Sequence, residues 1–204
     1  MNESPTRAAL LDAAESAFAE GGFKGASVRT ITGQARANLG AVTYHFGSKA
    51  ALFEAVVERA QPGMCEVIED AAAVPGTPID RLQRVVRAHF TFLHEHPRLR
   101  RLVLQVLLLD ADLPAAARYL RRAIGVVADV VAEGQKAGAF RAGDPGLLAI
   151  SVLTQSVMFN LMRPMLRRGP GLDLDNATVR RRVLDHALEF VRAGVVRPLR
   201  GDSR

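Results

Sequence analysis

Between Ser27 and Lys49 the chain has room for only two short helices and the tight turn that joins them, and a third helix starts at once. Val28, Ile31 and Ala35 fall at helical spacing and give the first helix a single buried face. The second covers about residues 39 to 45, with Val42 and Phe46 four apart as its inward pair. Two short helices at this spacing are the helix-turn-helix unit, whose second helix fits the width of a DNA major groove. The rest of its surface is Leu39, Gly40, Ala41, Thr43, Tyr44 and His45: small, then hydroxylated, then aromatic. A helix that only supported a core would more usually carry solvated charge there. Thr43 can set its methyl against a thymine methyl or bond a base edge, and Gly40 and Ala41 allow close approach to the groove floor. Asn38 and Leu39 stand at the start of this helix, where side chains point into a groove.

Around this unit the pattern is helical throughout. The 204 residues are rich in Ala, Leu, Val and Arg, with 5% aromatics and no alternating strand pattern. A chain of this length buries a sizeable core. Helical spacing and breakers divide it into about nine helices. The first covers residues 6 to 20, burying Leu10, Leu11, Ala14, Ala17 and Phe18, and Gly21-Gly22 ends it. Ser27 caps the second helix and Ser48 the fourth, which Pro62-Gly63 is expected to kink or break. The segment Val74-Pro75-Gly76-Thr77-Pro78 is the clearest linker. Further helices cover residues 78 to 95, 98 to 109 and 114 to 136. Asp144-Pro145, a cap followed by a proline at the first helical position, opens one that reaches Met165 despite Pro164. The last covers residues 176 to 193, and residues 198 to 204 are expected to be a disordered tail.

Charge has to be read by position. The net charge is +6, yet residues 1 to 60 are neutral: Arg7, Lys24, Arg29, Arg36, Lys49 and Arg59 balance Glu3, Asp12, Glu15, Glu20, Glu54 and Glu58. The surplus lies downstream, as in Arg180-Arg181-Arg182. Bulk basicity therefore supports DNA binding poorly, and the short helices must hold phosphates with amide termini and hydroxyls. The single cysteine, Cys65, excludes an internal disulfide and a multi-cysteine metal site and suits a reducing, cytoplasmic setting. The polar start lacks a signal-peptide apolar core. No apolar stretch reaches the roughly 18 residues that span a bilayer, so no membrane partner is expected. His94 and His96 form a pair at a helix end without other ligands nearby. No nucleophile elbow, phosphate loop, zinc or calcium motif is present, and neither catalysis, a metal nor a cofactor is expected.

The run Ala41-Val42-Thr43-Tyr44-His45-Phe46-Gly47-Ser48-Lys49, followed by Ala51-Leu52-Phe53, closely resembles the DNA-binding signature of TetR-family transcriptional regulators. The lead-in Ala13-Ala14-Glu15-Ser16-Ala17-Phe18-Ala19-Glu20-Gly21-Gly22-Phe23 and residues 27 to 31 share the likeness, which is specific over about residues 6 to 58. One position departs from the pattern: the turn residue, usually Gly in this family, is Arg36. The resemblance implies an all-α protein with a three-helix DNA-binding domain over residues 1 to 50. A larger helical ligand-binding and dimerisation domain would follow over residues 51 to 197. It also suggests Tyr44, His45 and Lys49 as phosphate contacts, with Ser27 and nearby amides doing the same and Arg29 as a further candidate. On residue type alone Tyr44 also suits packing, His45 a structural histidine and Lys49 a solvated charge.

The same family pairs through its last two long helices, and the corresponding segments here, about residues 145 to 166 and 176 to 193, are apolar over wide arcs. Simple core packing would produce the same pattern. A dimer has a physical motive, because one short helix reads too few base pairs while two on a symmetric dimer read a palindrome. The resemblance further implies a small-molecule effector that releases a repressor from its operator. Phe90, Phe92, Gln105, Gln155, Met158, Phe159, Asn160 and Met162 are the candidate pocket residues. The alternative is an all-helical carrier or enzyme in which the helix-turn-helix only packs.

Overall fold

The computed structural model describes residues 4–109 and 112–197, so the expected tail at 198 to 204 lies outside the described residues. Ten α-helices are present among them: α1 (Pro5–Gly25), α2 (Val28–Gln34), α3 (Ala41–Phe46), α4 (Lys49–Ala73), α5 (Pro78–Glu95), α6 (Pro97–Leu108), α7 (Pro114–Lys136), α8 (Pro145–Leu161), α9 (Arg163–Arg168) and α10 (Ala177–Val195). One isolated antiparallel bridge, between Phe140 and Val196, supplements them. The fold is all-α, as the periodicity indicates. None of the described helices is long and apolar enough to cross a membrane.

The chain divides into two compact units, one of Met1–Gly63 with His96–Tyr119 and one of Met64–Glu95 with the residues from Leu120 onward. In the first, α1, α2, α3 and the start of α4 close around Leu10, Phe18, Ile31, Val42, Leu52 and Phe53, with Leu102 of α6 and Ala115 of α7 joining the same core. Phe18 and Phe53 meet edge to face at 5.0 Å, and Phe23 closes the trio at 5.4 Å from Phe53. Arg59 of α4 reaches Asp12 and Glu15 of α1, at 2.8 and 2.7 Å. In the second unit, α5 lies against α8 and α10 and buries Leu82, Val85, Val86, Phe90 and Leu93. Facing them are Val152 and Leu153 of α8 and Val183, Leu184 and Ala187 of α10.

Three helix boundaries differ from the sequence expectation. The break at Gly22 is real, with φ 70° and ψ 175°, but helical structure resumes through Gly25. The fourth helix runs through Pro62 without ending; the proline removes one backbone donor, and the flanking turns hold the helix together. Pro164, by contrast, does interrupt. Helix α8 stops at Leu161, and Pro164 sits in the first turn of the separate α9, which raises the helix count to ten. A residue before proline resists the helical conformation, and a proline tolerates the first turn of a new helix better than the interior of an old one.

Candidate nucleic-acid interface

Each short helix is set by a local device. The Ser27 hydroxyl accepts from the Thr30 amide at 3.0 Å and caps α2. The other end of α2 closes in a Schellman motif: the Arg36 amide donates to Gly33 O at 3.2 Å and the Ala37 amide to Thr32 O at 2.9 Å. That motif needs a left-handed residue at its pivot, and Arg36 takes it with φ 52°, alone among the described non-glycine residues. The turn-position departure therefore carries real strain. Gly47, at φ 79°, ends α3, and the Ser48 hydroxyl accepts from the Ala51 amide at 3.0 Å to start α4.

Between these devices α3 turns Val42 inward and leaves Thr43 exposed. Tyr44 is 85% exposed and Leu39, just ahead of the helix, is 62% exposed. A tyrosine and a leucine left this bare on one short helix make a contact surface rather than a support. Asn38, Gly40 and Arg29 are exposed on the same small region of chain. His45 is half-buried, flanked by the Tyr44 ring at 4.9 Å and the Phe46 ring at 6.3 Å. Lys49 is held rather than free: its Nζ sits 4.7 Å over the Phe23 ring. Ala41 is the correction. It is buried at 6% exposure in the core of the first unit, so its methyl is spent on packing and not on a groove. A six-residue helix must spend two adjacent positions, Ala41 and Val42, on its core.

The neutral charge of residues 1 to 60 resolves once the acids are placed. Asp12 and Glu15 are taken by Arg59, Glu58 pairs with Arg118 at 2.7 Å, and Glu54 accepts the Ala115 amide. The partners of these acids lie on α4 and α7, not on α2 or α3. Arg7, which the sequence did not mark, lies 5.0 Å over the Phe46 ring beside the end of α3. A cation over a ring 39 positions away leaves no spacing signal.

The candidate pocket residues separate. Gln105 is not with the others: it lies in the first unit, and its Oε1 accepts the Phe23 amide at 3.3 Å. Phe90 and Asn160 are buried, Phe92, Gln155 and Phe159 are half-buried, and Met158 and Met162 are exposed. Asn160 Nδ2 donates to Phe90 O at 3.2 Å and Ser156 O at 3.0 Å, whereas its Oδ1 is buried without a partner. Next to it, His89 Nδ1 lies 2.8 Å from Ser156 Oγ, which itself bonds Leu153 O at 2.8 Å. The serine proton thus goes to the carbonyl, and the imidazole donates from Nδ1. Burial lowers the His89 pKa from 6.5 to about 4 and keeps the ring neutral. No group of three or more metal-ligating side chains is found among the described residues.

Residues 10–56 match the bacterial regulatory proteins of the tetR family, and residues 78–191, more than half the chain, match the tetracyclin repressor-like C-terminal domain. The chain belongs to the TetR family. Among curated relatives of this family member, the probable HTH-type transcriptional regulator YttP of Bacillus subtilis is 27% identical over 135 residues, 64% of this chain and 65% of YttP. The chain thus spans just under two thirds of that relative's length. The HTH-type transcriptional repressor SCO4008 of Streptomyces coelicolor is 27% identical over 169 residues, 80% of this chain and 84% of that one. Among solved structures, the transcriptional regulator FadR from Bacillus subtilis in complex with stearoyl-CoA superposes with a TM-score of 0.74, over 92% of this chain and 98% of that one, at 21% identity. The family model describes regulatory proteins, and both curated relatives are named as HTH-type transcriptional regulators or repressors.

Proposed function

We propose that the protein is a homodimeric repressor that holds a palindromic operator through α3 and releases it when a small-molecule effector binds the second unit. The observation that carries the DNA-binding half is the bare face of α3, with Leu39 and Tyr44 projecting and Thr43 between them. In this reading Thr43, Gly40, Asn38 and Leu39 meet base edges. Tyr44, His45, Lys49, Ser27 and Arg29 hold phosphates and fix the register. The dimer half is supported by apolar side chains left uncovered on α8 and α10: Leu147 at 66%, Ile150 at 44%, Met158 at 42% and Phe190 at 57% exposure. Solvated apolar side chains in this number mark a surface that another surface covers, and Met158 and Met162 fit it better than they fit a pocket.

The effector half is supported by Asn160. A buried amide oxygen without a partner costs on the order of 1–3 kcal/mol, and a ligand hydroxyl or amide would satisfy it. The adjacent Phe90, whose carbonyl Asn160 holds, suits an apolar or amphipathic body; FadR of Bacillus subtilis, with its stearoyl-CoA, is a relative in fold that takes such a molecule. Release then requires that the effector bind the non-operator state more tightly than the operator-bound one.

The test is a fluorescence-anisotropy titration of the protein with its own upstream DNA at two salt concentrations, with random DNA and Lys49→Ala and Tyr44→Ala as controls. Tight, selective binding that weakens in both variants without loss of thermal stability is the expected result. Equal affinity for random DNA, or variants that bind like the parent, would refute the assignment of α3. Sedimentation of Phe190→Glu should show monomers where the parent shows dimers.

A further inference from the structure

Gln105 sits in the last turn of α6, outside the helix-turn-helix, yet its side chain ends at the one place where α1 is broken. Gly22 adopts φ 70°, and a Cβ built on it would stand 2.8 Å from Gln105 Oε1. The positive φ favours glycine there, and a Cβ would also displace the Gln105 amide. The same Oε1 accepts the amide of the next residue, Phe23, at 3.3 Å. Phe23 is the residue whose ring stacks with Phe18 at 6.0 Å and carries the Lys49 ammonium at 4.7 Å on its face. An amide on α6 thus fixes the backbone of Phe23, the ring of Phe23 fixes the head of Lys49, and every atom of the chain of contacts lies within the first unit.

We infer that Gln105 is a positioning residue for DNA binding: it acts through Phe23 to hold the Lys49 ammonium where a phosphate is met. The inference rests on the reading of Lys49 as a phosphate contact. The physical grounds are geometric. Gly22 departs from helical φ/ψ just ahead of Phe23, and the Phe23 amide is met there by a side-chain acceptor. Gln105 supplies that partner from a second helix. Without it, the last turn of α1 keeps its apolar contacts but loses the bond that sets the orientation of the Phe23 ring plane. A lysine on a flexible stem has several rotamers of similar energy, and the ring face selects one of them. Losing the selection does not unfold the unit; it leaves the lysine–phosphate contact only partly made in the complex, so that fewer counterions are released on average.

The test is a double-mutant cycle on the intact protein, read by anisotropy on operator DNA across a salt series and by thermal unfolding. Lys49→Ala should weaken binding on the order of tenfold and flatten the plot of log affinity against log salt by about 0.9 per protomer. Gln105→Leu keeps volume but loses the acceptor, and should give a smaller change of the same kind. Gln105→Glu retains an acceptor for the Phe23 amide and should bind like the parent. In the Lys49→Ala background, Gln105→Leu should add less than about twofold, because the residue it positions is gone. Full additivity of the two changes would overturn the inference while leaving Lys49 as a contact. A Lys49→Ala variant that binds with the parent affinity and salt slope would overturn both readings. Weakened binding by Gln105→Leu with an unchanged salt slope would mark a purely structural role and overturn the inference as well.

Discussion

Replacing Arg36 by glycine should make the protein more stable, which is the reverse of what an arginine-to-glycine change usually does. Arg36 is the pivot of the Schellman motif that ends α2, with φ 52°. An L-residue with a Cβ pays about 1–2 kcal/mol in that region, and glycine pays none. Against this, glycine widens the unfolded ensemble by about 0.4–1 kcal/mol. Few contacts oppose the exchange. The Arg36 side chain is exposed and lines an open groove with Ala9, Asp12, Ala13 and Ser16, and the Asp12 carboxylate is engaged with Arg59. The net expectation is a gain of roughly 0.5–1 kcal/mol. Because the chain has two units, a single melting temperature would blur the effect. Native-state hydrogen exchange at the bonded amides of Ile31 and Leu52 reads the first unit alone, and protection there should rise about two- to fivefold. Arg36→Asn should fall between the two, since asparagine tolerates the left-handed region better than arginine, and Arg36→Val should lower protection below the parent. Protection in Arg36→Gly equal to or lower than the parent's would show that the turn is not strained by its side chain.

Two further outcomes concern the second unit and its buried polar group. Between pH 6.5 and about 4 the unfolded chain protonates His89 while the folded chain keeps it neutral. Stability therefore falls with pH in that window, by roughly 3 kcal/mol at its lower end. Urea titrations from pH 7 to 4 should show a smaller loss for His89→Gln than for the parent, and parallel curves would refute the buried neutral imidazole. Gly134→Ala should destabilise by about 1–3 kcal/mol, because the new Cβ would run into the Phe140 ring, which is itself 3% exposed; calorimetry would show a lower melting temperature. Gly125→Ala, with open space around the position, is the control that should not.

What the sequence could carry was local. Ser27, Ser48 and Asp144 are caps because a short polar side chain ahead of an apolar period can satisfy a free amide, and the structure shows all three accepting at 2.9–3.0 Å. The limits of α5 and α7 were equally legible, since Pro78, Pro114 and Lys136 bracket unbroken periods. Contacts between distant segments were not. Nothing in the spacing of Gln105 shows that it meets Phe23, 82 residues away, so its polarity read as a ligand contact. Ala41 misled for another reason: alanine is small enough for a groove floor and for a core, and only the burial of its neighbour Val42 decides. The polar residues of α8 divided in the same way, with Asn160 fully buried and Gln155 merely bonding back to Ser151 O at 3.5 Å.

The placement of charge also decides how the protein should respond to salt. A net charge of +6 would suggest a steep dependence if the whole surface took part. In the first unit, however, Arg59 is paired with Asp12 and Glu15 and Arg118 with Glu58. In the proposed interface Arg29 and Lys49 are the cations that meet phosphates. Two per protomer on a dimer give a slope of about −4 for log affinity against log salt, a loss on the order of a hundredfold between 50 and 200 mM. Most of the affinity then has to come from uncharged contacts: the Tyr44 hydroxyl, the Leu39 and Thr43 side chains and the amides around them. A measured slope near −4 that drops by about two in Lys49→Ala supports this division. A slope steeper than about −7 would mean that basic residues outside the first unit, such as Arg181 and Arg182 on α10, hold the DNA as well. The bare face of α3 would then be a minor part of the interface.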